Sequence, residues 1–310
     1  NEGMPPLNAS FDHSDRMDRT LLSFYGLAVG DSFGERFFRK DPTEAIKRRE
    51  MPAAPWKYTD DTAMARCIVT VLRDKRRIEP DLLAKRLGAV YLRDPLRGCG
   101  NAAHTVLAEL GRGYSWRTAA PALFGGQGSL GNGGGMRAGP VGASFAGDMA
   151  AVVRQAELSA RVTHAHPEGR AGAVAVAVAA AVAGSREEDS WAARGRGLLE
   201  DAVTHTPDGE TRRGLAKARD LSFETGIDEA VAELGNGENI TAQDTIPFAV
   251  WCAARHLDDF REAMWQTVSG LGDRDTTCAI VGSIVPLARG WSGLPTSWYR
   301  NTENVVVEMI

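Results

Sequence analysis

The sequence predicts an all-α protein, one compact body of many helices, on three observations. Apolar residues recur at helical spacing along most of the 310 residues, convincing strand patterns are few, and no biased linker or internal repeat divides the chain. After Tyr58-Thr59-Asp60-Asp61-Thr62, the apolar positions Met64, Cys67, Ile68, Val71 and Leu72 fall at i, i+3, i+4, i+7 and i+8, one face of an amphipathic helix. The same spacing predicts helices over 17–30, 80–92, 101–111, 148–161, 245–257 and 275–289. The Ala/Val run at 173–182 alternates like a strand, but alanine favours helix and both faces are apolar, so a buried helix is predicted there. Segments 121–142 and 291–297, rich in glycine and proline, read as loops, and 184–192 and 205–211 as surface connections. Residues 1–16 read as a disordered N-terminal extension and 17–310 as the domain.

Bulk properties narrow the function. A chain of this length can bury its core without disulfides or a structural metal. The net charge is −4, the pI is near 5.9, and the 36 basic residues are scattered, so no nucleic-acid footprint is indicated. Cys67, Cys99, Cys252 and Cys278 form no CxxC or Cys/His pattern and read as reduced structural thiols. The first 24 residues carry charges throughout and lack the apolar core of a signal peptide. The apolar run at 173–184 falls short of the roughly 20 residues that span a bilayer. A cytoplasmic monomer with no membrane partner is expected.

The chemistry begins at the paired acids. Thr59 or Asp60 could simply cap a helix, with Asp61 complementing its dipole. The stretch Leu271-Gly272-Asp273-Arg274-Asp275-Thr276 repeats the arrangement before another apolar run, and two such junctions invite a shared site. Four carboxylates brought together repel unless cations neutralise them, and an all-oxygen set suits Mg²⁺ or Mn²⁺, with room for two ions. Neither stretch has the EF-hand frame. In GLAVGDSFGERF (26–37), Gly26 and Gly30 could admit a close helix crossing, and Asp31, Gly34 and Glu35 end that helix, Glu35 adding a further acid.

A glycine-rich segment, GQGSLGNGGGMRAGPVG (126–142), matches GxGxxG at its start, but Pro121 occupies the would-be strand and no P-loop lysine follows. What survives is a run of exposed backbone N–H groups able to cradle a diphosphate, with Ser129 and Asn132 adding side-chain bonds. His164 and His166, in SARVTHAHPEGRAG (159–172), are two residues apart and do not form the HExxH of a zinc protease.

Taken in order, GDSFG, YTDDT, RGCGNAAHTVL (97–107), GSLGNGGGMRAGPVG, SARVTHAHPEG and GDRDTTCAIVG resemble the ADP-ribosylglycohydrolase family over roughly residues 20 to 290. The resemblance implies an all-α ADP-ribosylglycohydrolase-like domain with a binuclear Mg²⁺ or Mn²⁺ centre. It also implies hydrolysis of the bond between ADP-ribose and an acceptor side chain, arginine first and serine second. By that similarity Thr59, Asp60, Asp61 and Asp275 hold one ion, and Asp273, Asp275 and Thr276 the other. The loop from Ser129 through Gly131, Asn132 and Gly133 to Met136 takes the diphosphate, His164 lines the ADP-ribose pocket, and Gly98 and Gly100 lie near the distal ribose. Asp60, Asp61 and Glu35 are the catalytic candidates. This chain departs from the family's usual pattern at Leu271, at Phe38 where many relatives carry an acid, and in GCGNAA where relatives often have GYGAGT. The expected partner is an ADP-ribosylated protein or a small ADP-ribose conjugate. The rival readings are hydrolysis of a free ADP-ribose derivative and a non-catalytic ADP-ribose-binding or structural protein; phosphoryl transfer fits less well, since no lysine or arginine cluster accompanies the glycine loop.

Overall fold

Helical periodicity carries through into helices over most of the chain. The computed structural model describes residues 16–185, 190–305 and 307. In order, the helices are α1 (Arg16–Glu35), α2 (Thr43–Lys47), α3 (Asp60–Lys75), α4 (Pro80–Arg93), α5 (Asn101–Gly111), α6 (Trp116–Gly126), α7 (Gly133–Met136), α8 (Gly139–Ser144) and α9 (Met149–Arg161). They continue as α10 (Pro167–Ala183), α11 (Trp191–His205), α12 (Glu210–Asp220), α13 (Ile227–Leu234), α14 (Ala242–Arg255), α15 (Phe260–Ser269), α16 (Arg274–Ile284) and α17 (Thr296–Asn301). Extended pairing among the described residues is confined to isolated bridges, Trp56 with Thr302 and Gly131 with Thr241. Among the described residues no helix is long and apolar enough to cross a membrane.

The Ala/Val run forms α10, which threads the core against α7, α8, α9, α11 and α14, buried along nearly its whole length. Small side chains allow this, because alanine and glycine on every face let neighbours approach a central helix from all sides. α1 packs along α16 through a stripe of glycines: a β-carbon at Gly26 or Gly30 would collide with the carbonyl oxygens of Gly282 or Cys278. The close crossing expected from Gly26 and Gly30 is therefore present, and Gly34 extends it against Arg274 and Asp275. Below the end of α1, Phe33 stacks at 4.7 Å on Trp298 and 5.0 Å from Trp265, with Trp56 fully buried beside them. Backbone bonds from Trp56 to Asn301 and from Glu303 to Trp56 brace the approach to Thr59.

Several boundaries move. The segment 121–142 is not one loop: α6 absorbs Pro121 and leaves helical angles at Leu123, Phe124 and Gly125, and α7 and α8 follow. Pro286 lacks the N–H that would continue α16, and residues 285–288 tighten into a 3₁₀ turn instead of extending the helix to 289. Another 3₁₀ turn, Gly290–Gly293, enters the expected loop 291–297. α2, α11, α12, α13, α15 and α17 were not predicted from spacing. Of the expected N-terminal extension, Arg16 opens α1 and the rest lies outside the described residues, as do residues 186–189 of the 184–192 connection.

α12 starts without a capping side chain of its own, since Gly209 stands at its N-cap. Glu168 of α10 replaces it, accepting from the N–H groups of Glu210 at 2.6 Å and Thr211 at 2.9 Å and from the Thr211 hydroxyl at 2.7 Å. Burial alone would raise the Glu168 carboxyl, but the Thr211 and Glu210 bonds outweigh it and hold it below its usual value. A depressed carboxyl stabilises the fold above its unfolded-state value of about 4.3 and loses that contribution as pH falls through the folded-state value. Glu168→Gln is expected to cost about 1 kcal/mol at pH 7, and urea denaturation of mutant and wild type should converge toward pH 3.

Candidate functional site

One carboxylate gathers four donors and fixes the start of α3. Asp31, fully buried near the end of α1, accepts from the Thr59 N–H at 2.9 Å and hydroxyl at 2.8 Å, and from the Thr62 N–H at 3.1 Å and hydroxyl at 2.5 Å. Burial raises its carboxyl to about 6 against the lowering pull of those bonds. Thr59 is the N-cap of α3, its hydroxyl accepting from the Asp61 N–H at 3.3 Å, so Asp60 and Asp61 occupy the first helical turn. Capping and site formation are thus the same structural event at this junction.

The second junction meets the first directly. Thr276, in the first turn of α16, donates to Asp61 Oδ2 at 3.4 Å across 215 residues of chain. Asp273, at the N-cap of α16, accepts from Asn132 Nδ2 at 2.6 Å, and the same amide reaches Thr245 Oγ1 at 3.0 Å. Asn132 thereby ties the glycine-rich segment to the second aspartate pair.

Electrostatics record the crowding. Burial, then Asp275, Asp31, Asp60 and Asp273, push the Asp61 carboxyl well above its usual range; burial, then Asp273, Asp31 and Asp60, do the same to Asp275. The Asp60 carboxyl rises to about 7, through burial and then Asp31. Oδ1 of Asp61 and Oδ1 of Asp275 are both buried without a hydrogen-bond partner. Among the described residues no three His, Cys, Asp or Glu side chains have closed into a ligand cage. What stands ready is a set of hard oxygen donors at two helix N-termini with two orphaned carboxylate oxygens, a set that fits Mg²⁺ or Mn²⁺ better than a softer ion.

Of the predicted binding residues, Gly98 and Asn132 meet these acids, and Gly131, Gly133 and His164 meet one another. Gly98, at φ +104, would place a β-carbon 3.5 Å from Asp60 Oδ1, and Gly100 faces open space at the start of α5. Ser129 Oγ accepts from the Gly131 N–H at 3.1 Å and shapes the loop. β-carbons at Gly131 and Gly133 would stand 3.4 and 3.1 Å from His164 Nε2, so glycine at both keeps space open between loop and imidazole. Met136 is buried beneath Gly133. Glu35 is half-buried at the last position of α1, its carboxyl raised by burial, and no hydrogen bond or ion pair among the described residues joins it to the other acids. Phe38 is exposed and carries the Arg274 guanidinium over its ring at 4.5 Å. A separate cavity of about 420 Å³, lined by Trp116, Arg117, Pro121, Arg161, Ala165 and Arg170, opens beside Ala165, against which Gly128 packs.

Three participants escaped the sequence reading. Asp31 was legible only as the end of a helix, yet it organises the TDDT turn. Cys99 was read as a structural thiol, but it is half-buried beside Asp60, whose carboxyl its thiol pulls down against the effect of burial. Thr245, from α14, has no motif around it and enters through Asn132. His166 serves as the N-cap of α10, its Nδ1 accepting from the Glu168 N–H at 3.1 Å.

His164 yields a pH prediction. Burial, then Arg137, lowers it to about 3 from an ordinary 6.5. The folded state keeps the ring neutral, so its contribution is intact above pH 6.5 and is lost as pH falls toward 3. The neighbouring carboxylates titrate in the opposite sense, so the difference between wild type and His164→Gln isolates the term. The stability advantage of wild type over mutant should shrink by up to about 1.4 kcal/mol per pH unit between pH 6 and 4, read from urea midpoints.

Comparison with known proteins places this chain among relatives. A sequence profile described as ADP-ribosylglycohydrolase matches residues 12–309. The chain is 31% identical to ADP-ribosylhydrolase ARH3 of Gallus gallus, over 91% of this chain and 81% of that protein, and 30% identical to the Homo sapiens ARH3, over 79% and 74%. It is 24% identical to the ADP-ribosyl-[dinitrogen reductase] glycohydrolase of Rhodospirillum rubrum, over 91% and 89%. A solved structure titled ADP-ribosylglycohydrolase-related protein complex shares the fold, with a TM-score of 0.67 at 24% identity over 94% of both chains.

Proposed function

Because the chain belongs to the ADP-ribosylglycohydrolase family, we propose that it is a metal-dependent ADP-ribosylhydrolase that releases ADP-ribose from an acceptor side chain, arginine or serine. The observation that carries this reading is the meeting of three motifs at one point: Thr276 on Asp61, and Asn132 on Asp273. Mg²⁺ or Mn²⁺, one ion held by Thr59, Asp60, Asp61 and Asp275 and another by Asp273, Asp275 and Thr276, would neutralise the acids and polarise the ribose hydroxyls.

The protein's own groups then divide the work. The loop from Ser129 to Met136 takes the diphosphate through N–H groups other than those of Gly131 and Asn132, which Ser129 Oγ and the Ile240 carbonyl already hold, and His164 borders the loop as an uncharged ring. Gly98 and Gly100 leave the distal ribose room to approach the acids. As the bond from the anomeric carbon to the acceptor breaks, positive charge grows on the ribose ring and the acidic site stabilises it. Water adds to the anomeric carbon and yields its proton to Asp60, which, unlike Asp61, is partly exposed; that proton leaves with the acceptor.

The test is release of free ADP-ribose from arginine- and serine-linked ADP-ribosyl peptides with Mg²⁺, Mn²⁺ or EDTA. Metal-dependent release from one linkage is expected and identifies the acceptor. Tight ADP-ribose binding without release from either would overturn the reading in favour of a binding protein. Asp61→Asn is expected to lose roughly 100-fold or more in rate; full activity at saturating Mg²⁺ would remove Asp61 from the site.

A further inference from the structure

Behind His164 lies a buried chain of donors that the hydrolysis scheme leaves unused. Arg137 is fully buried yet, among the described residues, has no carboxylate in hydrogen-bond contact; its Nη2 donates to the Ser159 carbonyl at 2.8 Å and to Thr163 Oγ1 at 2.7 Å. Thr163 Oγ1 lies 2.7 Å from His164 Nδ1. A guanidinium can only donate, so Thr163 Oγ1 accepts from Arg137 and keeps one hydrogen of its own. The competing acceptor for that hydrogen, the Ala160 carbonyl, is 3.4 Å away and already receives the N–H groups of Val162, Thr163 and His164. The hydroxyl hydrogen therefore goes to His164 Nδ1, which must accept.

We propose that Arg137 and Thr163 are positioning residues that lock His164 in the Nε2–H tautomer, aiming its one ring proton at the glycine cradle as a donor to the ligand's diphosphate. Nε2 is the ring atom that faces Gly131 and Gly133, and among the described residues nothing accepts a hydrogen bond from it. The opposite tautomer would turn a lone pair toward an anionic ligand, so the orientation of one buried hydroxyl sets the sign of the contact. Burial and the Arg137 charge both disfavour protonation of the ring, which keeps Nδ1 available as acceptor. Recognition of a diphosphate rests on the functional reading above; the tautomer does not.

Long-range ¹H–¹⁵N correlation spectra of the ligand-free protein decide the tautomer, His164 being assigned among the six histidines by comparison with His164→Gln. A protonated Nε2 beside an unprotonated Nδ1 is expected; the reverse overturns the relay. Thr163→Val should populate the other tautomer and weaken ADP-ribose binding roughly 10-fold, raising KM more than it lowers kcat, while Thr163→Ser preserves both signature and affinity. Failure of Thr163→Ser to rescue would reduce Thr163 to a packing role and overturn the proposal. If the wild type shows the expected tautomer but does not bind ADP-ribose, the relay stands and the substrate reading falls.

Discussion

Asp275→Asn is expected to raise the melting temperature of the metal-free protein while reducing hydrolysis roughly 100-fold or more. These opposite signs follow from what surrounds the carboxyl. Asp275 is pushed well above its usual range by burial and then by Asp273, Asp31 and Asp60, and its Oδ1 has no partner. Without a cation, a charge there is a net cost to the fold, so a neutral amide of similar shape relieves it. The amide N–H₂ can also donate toward Asp273, whose carboxylate helps push Asp275 up.

With a cation the sign reverses. A divalent ion that binds the folded state alone stabilises by mass action, so Mg²⁺ or Mn²⁺ should raise the wild-type melting temperature and EDTA should reverse the gain. Asp275→Asn should respond weakly, because one carboxylate shared by both proposed ion sites is gone. Thermal scans with Mg²⁺, Mn²⁺ and EDTA read the whole pattern. A lower melting temperature for the metal-free mutant would mean that the carboxylate is well solvated or paired as it stands, and the cation reading would lose its physical basis.

The parts of this site visible in the sequence share a property: their meaning is local. Thr59 through Thr62 and Asp273 through Thr276 read as acids at helix starts because capping chemistry acts within one turn. Gly26 and Gly30 read as a crossing because two small residues four apart lie on one face of a helix. Asp31 lacked such a signature, since its partners are the N–H and hydroxyl groups of Thr59 and Thr62, 28 and 31 residues away. The Arg137–Thr163–His164 chain was equally hidden, for a buried arginine bonded to a carbonyl and a hydroxyl leaves no pattern in spacing. The loop expected over 121–142 failed for a third reason. Glycine and proline signal local breaks, but Pro121 stays within α6, the break begins at Leu123, and helix resumes at Gly133. Glu35 illustrates the limit of proximity, being close in sequence to Asp31 yet, among the described residues, without a bond to the other acids.

Gly30→Ala is expected to be among the most damaging single-methyl changes at the described glycines. The added β-carbon would sit within the van der Waals envelope of the Cys278 carbonyl, and the obstacle is backbone, which cannot rotate aside as a side chain could. The remaining option is to part α1 from α16, along a seam where Gly26, Gly30, Gly34 and Gly282 all depend on close approach. Overpacking of this kind costs about 3 kcal/mol or more, which for a domain of this size lowers the melting temperature on the order of 10 °C. Gly226→Ala is the contrasting variant: nothing lies within 4 Å of the added carbon, and at a helix N-cap with φ −65 it should cost about 0.5 kcal/mol. Activity should fall further than stability alone explains, even at temperatures where Gly30→Ala remains folded. α1 delivers Asp31, which holds the TDDT turn, and α16 delivers Asp275 and Thr276, so parting the two helices separates the halves of the site. A displacement of about 1 Å at reacting groups can cost 100-fold in rate. Measured kcat at 20 °C beside the unfolding midpoint separates the two effects: a variant that melts early but keeps wild-type kcat would show that the crossing supports the fold without setting the geometry of the acids.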